Sequence, residues 1–101
     1  MKLLISTEEV TLTPDISEIV DKKLSKGLDK YLQSVDVDTR EANVHIAKGV
    51  RWGFTVKFDM DLPGGQHIHV NEKHKELPFA ISAVASEVKR SLRRYKEKRE
   101  N

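Results

Sequence analysis

Lysine and arginine gather on two stretches of this 101-residue chain. Lys22, Lys23, Lys26 and Lys30 form the first, and Lys89, Arg90, Arg93, Arg94 and Lys96 form the second. Cations gathered in this way suit a polyanion. Each phosphate they neutralise releases counterion, so such binding weakens steeply with salt. Arginine adds a planar fork that grips phosphate or stacks on an unpaired base. From Leu77 to Asn101 seven cations stand against three anions, whereas residues 1–76 carry eleven against thirteen. The formal net charge of +2 therefore hides a basic end on a slightly acidic body. The same pattern also describes a solvated helix surface whose cations complement the helix dipole. Charge alone leaves both readings open.

Other residue types that do chemistry are sparse. His67 and His69 share one face of an alternating stretch, and His45 can lie on the same sheet face. Three histidines could hold a metal, but the spacing shows no carboxylate or cysteine partner, and an exposed polar face is the plainer reading. Asp59 and Asp61, two residues apart, could be paired acid-base carboxylates. No nucleophile accompanies them, which favours a solvated strand face. Trp52, next to Arg51, either stacks on a base or covers the edge of the core. His74 reads as a loop residue. Gly64-Gly65 is too short to cradle a phosphate and reads as a turn. Cysteine is absent, which removes disulfides, thiol nucleophiles and cysteine-based zinc sites. No catalytic residue, cofactor, metal or small-molecule substrate is expected.

The elements that must carry the two basic stretches follow from periodicity. Lys2 to Ser6 reads as a short strand. Thr13-Pro14-Asp15 starts a helix: the Thr13 hydroxyl can cap it, Pro14 suits its first position and Asp15 complements its positive end. Ile16, Val20, Leu24 and Tyr31 then define a buried stripe, and the helix should run to about Gln33. Ser34 to Thr39 is a polar connection. Ala42, Val44 and Ile46 alternate with polar neighbours and predict a strand. Lys48 to Gly53 reads as a hairpin loop. Phe54, Val56, Phe58, Met60 and Leu62 alternate without fault and predict the next strand. After the Pro63-Gly64-Gly65 turn, Ile68 and Val70 place a fourth. Leu77, Ile81, Val84, Val88, Leu92 and Tyr95 fall on one stripe of a last helix, with Pro78 near its start.

The expected class is therefore α+β, in the order β-α-β-β-β-α. Both helices pack on one face of a four-stranded mixed sheet, whose first two strands pair in parallel across the first helix. Hydrophobic residues at 38% and charged residues at 34% fit a charged globular chain rather than a disordered one. Without a linker or repeat, residues 1–101 read as a single domain. No run approaches the roughly 18 apolar residues that a membrane helix needs, and the N-terminus lacks a signal-peptide pattern, so the cytoplasm is the expected compartment.

Two helices side by side on a sheet share a groove. Lys23, Lys26 and Lys30 lie on one flank of the first helix, with Lys22 nearby. Lys89, Arg93 and Lys96 lie on one flank of the last, with Arg90 and Arg94 on its opposite flank. Where the two flanks meet, the groove would suit a phosphate backbone.

The whole chain resembles the ribosome hibernation-promoting and ribosome-associated inhibitor family, also called sigma modulation proteins. The resemblance lies in Leu12-Thr13-Pro14-Asp15-Ile16, Lys22-Lys23-Leu24-Ser25-Lys26, Leu28-Asp29-Lys30-Tyr31 and Leu62-Pro63-Gly64-Gly65. It closes with Ala80-Ile81 and the run from Val88 to Lys98. It implies a fold related to double-stranded-RNA-binding domains. It also implies binding to small-subunit ribosomal RNA, in the channel used by messenger and transfer RNA, so that translation is silenced without chemistry. The family's basic residues match Lys22, Lys23, Lys26, Lys30, Lys89, Arg90, Arg93, Arg94 and Lys96. Three departures stand out. Gly27 is an extra residue in the first helix, expected to produce a bulge or kink. Glu76-Leu77-Pro78-Phe79 replaces an acidic-Met-Tyr segment, so any interaction through that tyrosine is missing. The chain stops at Asn101, which reads as a short form of the kind that cooperates with a separate ribosome-dimerising factor. The alternatives of a different class are a protein-interaction regulator, for example of transcription machinery, and a general structured-RNA binder.

Overall fold

The computed structural model describes residues 1–100, and side chains as far as Lys98. The side chain of Arg99, counted above among the cations, and the terminal Asn101 lie outside the described residues. Strands β1 (Lys2–Glu8), β2 (Glu41–Lys48), β3 (Phe54–Leu62) and β4 (Gln66–His74) form one sheet in the order β1-β2-β3-β4. β1 pairs with β2 in parallel, and the other two pairs are antiparallel. A helical arm lies between β1 and β2. It consists of α1 (Pro14–Val20), a π-helical segment (Asp21–Lys26) and α2 (Gly27–Asp29). A 3-10 turn at Val37–Thr39 leads into β2, and α3 (Leu77–Glu100) ends the chain.

The alternation read from sequence is the alternation that packs. Ala42, Val44, Ile46, Val56, Phe58, Met60, Leu62, Ile68 and Val70 all bury on the face that the helices cover. The whole stripe expected on α3, from Leu77 to Tyr95, is buried as well. Tyr95 donates its hydroxyl hydrogen to the Pro63 carbonyl at 3.2 Å, which ties α3 to the β3–β4 turn. That turn needs positive φ at Gly64 (86°) and Gly65 (80°), a region that side-chain-bearing residues avoid. Thr13 caps α1 as expected, its Oγ1 accepting from the Ile16 N–H at 3.3 Å.

The helical arm departs from the expected stripe. It ends as a helix at Asp29, short of Gln33, and turns carry the chain onward. Val20, Leu24, Leu28 and Leu32 are fully buried, while Tyr31 is only half-buried. Buried positions at every fourth residue do not suit an α-helix, which advances about 100° per residue and so walks off by about 40° at each such step. The wider turn of the π segment absorbs the extra residue and brings Leu28 and Leu32 back over the sheet. It also buries Ser25, whose hydroxyl donates to the Met1 carbonyl at 2.8 Å.

Gly27 closes the π turn: its N–H donates to the Lys22 carbonyl, five residues back. A Cβ at Gly27 would stand 2.9 Å from that same oxygen. Gly→Ala in an ordinary helix interior gains about 0.8–1 kcal/mol, whereas crowding a packed backbone costs about 1–3 kcal/mol. Gly27→Ala is therefore expected to destabilise by about 1 kcal/mol net. A lowered urea midpoint would show it; a raised one would mean that the π turn is absent in solution.

Candidate nucleic-acid interface

Tyr31 stands where the helical arm meets α3, and three cations converge on it. The Lys30 ammonium lies 5.2 Å and the Arg93 guanidinium 5.7 Å from the ring centroid. Arg93 also donates to the phenol oxygen at 3.4 Å. This hydrogen bond holds the Tyr31 hydroxyl below its ordinary pKa, and the charges of Lys30, Arg93 and Lys89 push the same way. The two basic flanks thus meet at Tyr31, through Lys30 from the arm and Arg93 and Lys89 from α3. Cations lying over a ring face gain from its quadrupole. Here the ring and the three charges together offer both a phosphate cradle and a stacking surface.

The structure bears out only part of the expectation for Tyr31: it packs against the core half-buried rather than within it, and its hydroxyl meets Arg93. Seven residues on from Leu24, it would return to the buried face of an unbroken α-helix. The π turn moves Leu28 and Leu32 there instead and leaves Tyr31 at the groove. Gly27 is the sequence signal for this shift.

The remaining cations divide. Lys26, expected beside Lys30, instead faces Asp21, with its ammonium at 3.3 Å. Asp21 borders the cleft against β1, with Met1, Leu3 and Ile5, so Lys26 is tied away from α3. Lys22 and Lys23 are exposed on the π segment, and Lys96 is exposed on α3. Arg90 pairs with Glu87 at 3.0 Å. Arg94 borders a depression on the β4 side of α3, with Gln66, His67, Ser91 and Lys98, and so faces away from the groove.

The other candidates separate in the same way. Trp52 does not cover the core: it is 55% exposed, with the Lys73 ammonium 4.7 Å from its ring. His74 ends β4 rather than lying in a loop, and pairs with Glu72 at 3.9 Å. Phe79, in the segment that replaces the family's tyrosine, is exposed at the start of α3. His45 does not join the other strand histidines, because its Nδ1 meets the Ser6 hydroxyl at 2.7 Å and its Nε2 lies 3.6 Å from Glu8. His67 and His69 do have carboxylate partners, Asp59 and Asp61, which spacing along the chain conceals. The hydrogen bond from His69 holds Asp59 below the ordinary carboxylate pKa, and the bond to Asp61 raises that of His67. No helix among the described residues is long and apolar enough to cross a membrane.

Residues 3–100 match the family model described as sigma 54 modulation protein / S30EA ribosomal protein. The chain is 30% identical, over 101 aligned residues, to a ribosome hibernation promotion factor of Picosynechococcus sp.. That alignment covers 97% of this chain and 50% of the relative, so the chain spans half the length of the curated protein it matches. Among solved structures, it is similar to the N-terminal domain of Thermus thermophilus Protein Y, with a TM-score of 0.78 and 24% identity. That match covers 94% of this chain and 99% of the other. A ribosomal subunit interface protein from Coxiella burnetii superposes with a TM-score of 0.72 at 17% identity, covering 96% and 99%. At these identities the two structures speak for the fold.

Proposed function

The chain belongs to the sigma 54 modulation protein / S30EA ribosomal protein family, a family of ribosome hibernation factors and not of enzymes, and from that premise we propose that it silences translation by occupying the small ribosomal subunit. In this reading residues 1–101 act as one ribosome-binding domain in the cytoplasm. The domain lies against ribosomal RNA in the channel that messenger and transfer RNA would use.

The observation that carries the reading is the convergence of Lys30, Lys89 and Arg93 on Tyr31. Lys22, Lys23 and Lys96 extend the basic surface around it, and Lys26, Arg90 and Arg94 add positive charge beyond the groove. Phosphate contacts supply affinity, and the half-buried Tyr31 ring and the exposed guanidinium plane of Arg93 suit unpaired bases. No bond is made or broken: the protein competes for space.

Purified small subunits should co-sediment with the protein at low salt and release it as salt rises, because freed phosphates take back their counterions. Failure to co-sediment at low salt would overturn the proposal. Preference for plain duplex RNA over the subunit in competition would replace the ribosome with structured RNA in general. A partner that stays bound at high salt after nuclease treatment would point to a protein target instead.

A further inference from the structure

The register of β3 and β4 sets Asp59 opposite His69 and Asp61 opposite His67. Alternate residues of these strands, Phe58, Met60, Ile68 and Val70, bury under the helices, so all four side chains project from the open face of the sheet. There they converge. Asp59 Oδ1 lies 2.6 Å from His69 Nδ1 and 3.3 Å from His67 Nε2. Asp61 Oδ1 lies 2.6 Å from the other ring nitrogen of His67, Nδ1. One ligand atom each from Asp59, His67 and His69 lies within 4.8 Å of the others.

We propose that Asp59, His67 and His69 form a binding site for a divalent transition-metal ion of the zinc class. Two imidazole nitrogens and one carboxylate oxygen are a donor set for zinc and its first-row neighbours, and a poor one for magnesium or calcium, which demand oxygen. Zinc bonds of about 2.0–2.1 Å set tetrahedral ligand atoms about 3.3 Å apart. The Asp59–His67 separation already matches that spacing, the Asp59–His69 pair needs to open by less than about 1 Å, and the two imidazole nitrogens, within 4.8 Å of each other, need to close by at most about 1.5 Å. Asp61 supplies the supporting interaction that metal-bound histidines use: it accepts the Nδ1–H of His67, which leaves Nε2 free to ligate. Backbone pairing fixes the spacing of all four residues, so the site asks little rearrangement of the chain. A shallow depression of about 220 Å³, bordered by Thr39, Glu41 and Asn43 besides Asp59, Asp61 and His67, leaves the fourth position open to water or to a donor from a partner.

The site faces away from the groove and does not depend on ribosome binding. Calorimetric titration of the full chain with zinc chloride in a non-chelating buffer should show one saturable equivalent, undisturbed by excess magnesium. Side-chain NMR signals of His67 and His69 should shift with zinc while those of His45 and His74 stay. Asp61→Asn should weaken binding about ten- to a hundredfold, and His67→Ala with His69→Ala should remove it at unchanged circular dichroism. The proposal is overturned by the absence of a saturable equivalent, by binding that survives the double substitution, by equal competition from magnesium, or by shifts centred on His45 or His74. The histidine map of the unsubstituted protein decides the matter even if the double variant does not fold.

Discussion

Charge reversal at Lys30, Lys89 and Arg93 together, each to Glu, is expected to remove binding to small ribosomal subunits at near-physiological salt while leaving the fold intact. Hydrogen bonds to charged groups contribute about 1.5–3 kcal/mol each. Removing three therefore weakens binding by roughly a thousandfold or more before any repulsion is added. The salt dependence should also flatten, by about one unit of log-log slope for each phosphate that no longer meets a cation. Stability should hold: Lys30 and Arg93 are exposed and Lys89 is half-exposed, and surface charges of this kind seldom move stability by more than about 0.5 kcal/mol. The control is a matched reversal on the strands, at Lys2, Lys57 and Lys73. It changes the net charge equally but lies away from the groove. Sedimentation in a salt series separates the two. If the strand reversal weakens binding as much as the groove reversal, the overall field of the protein holds the RNA and the groove does not.

The placement of that groove shows how far sequence reaches here. Strand β3 is legible because Phe54 to Leu62 alternates over its whole length, and α3 because its stripe runs unbroken from Leu77 to Tyr95. Period is a local property, and both segments are regular. What stays dark depends on relations between distant residues. His67 and His69 look partnerless in sequence because Asp59 and Asp61 stand six to ten positions away, across a turn; only the β3–β4 register puts them face to face. Lys26 looks like a neighbour of Lys30 under a 3.6-residue turn, but the π segment changes the angle, and Asp21 draws it to the other side. Tyr31 falls into the core stripe by the same arithmetic. In each case the residue types are visible and their phase is not. Gly27 is the one mark of the changed phase, because it occupies the position where a Cβ would meet the Lys22 carbonyl.

That phase can be tested by where the stability lies. Leu28 is fully buried, and truncating a buried leucine costs about 2–5 kcal/mol, as forfeited transfer energy plus an unfilled cavity. Leu28→Ala should therefore lower stability by about 3 kcal/mol, and the melting temperature by roughly 10–20 °C for a chain of this size. Tyr31→Ala removes a larger side chain from a half-buried position and should cost about 1 kcal/mol, mostly because Lys30 and Arg93 no longer have the ring beneath them. An unbroken α-helix through Gly27 would turn Tyr31 onto the sheet and Leu28 towards its flank, and would reverse that order. Denaturant unfolding of the two variants decides between these geometries without any ribosome present. The result also bears on binding. The Tyr31 N–H donates to the Leu28 carbonyl at 3.0 Å, so the leucine that anchors the arm to the sheet also positions the start of the groove. Leu28→Ala should then weaken ribosome binding even at temperatures where it stays folded, although Leu28, fully buried, presents no surface to RNA. Tyr31→Ala should weaken binding with little change in stability. Opposite rankings of one pair of variants, by stability and by affinity, are the expected signature of a π turn that assigns one residue to the core and its neighbour to the site.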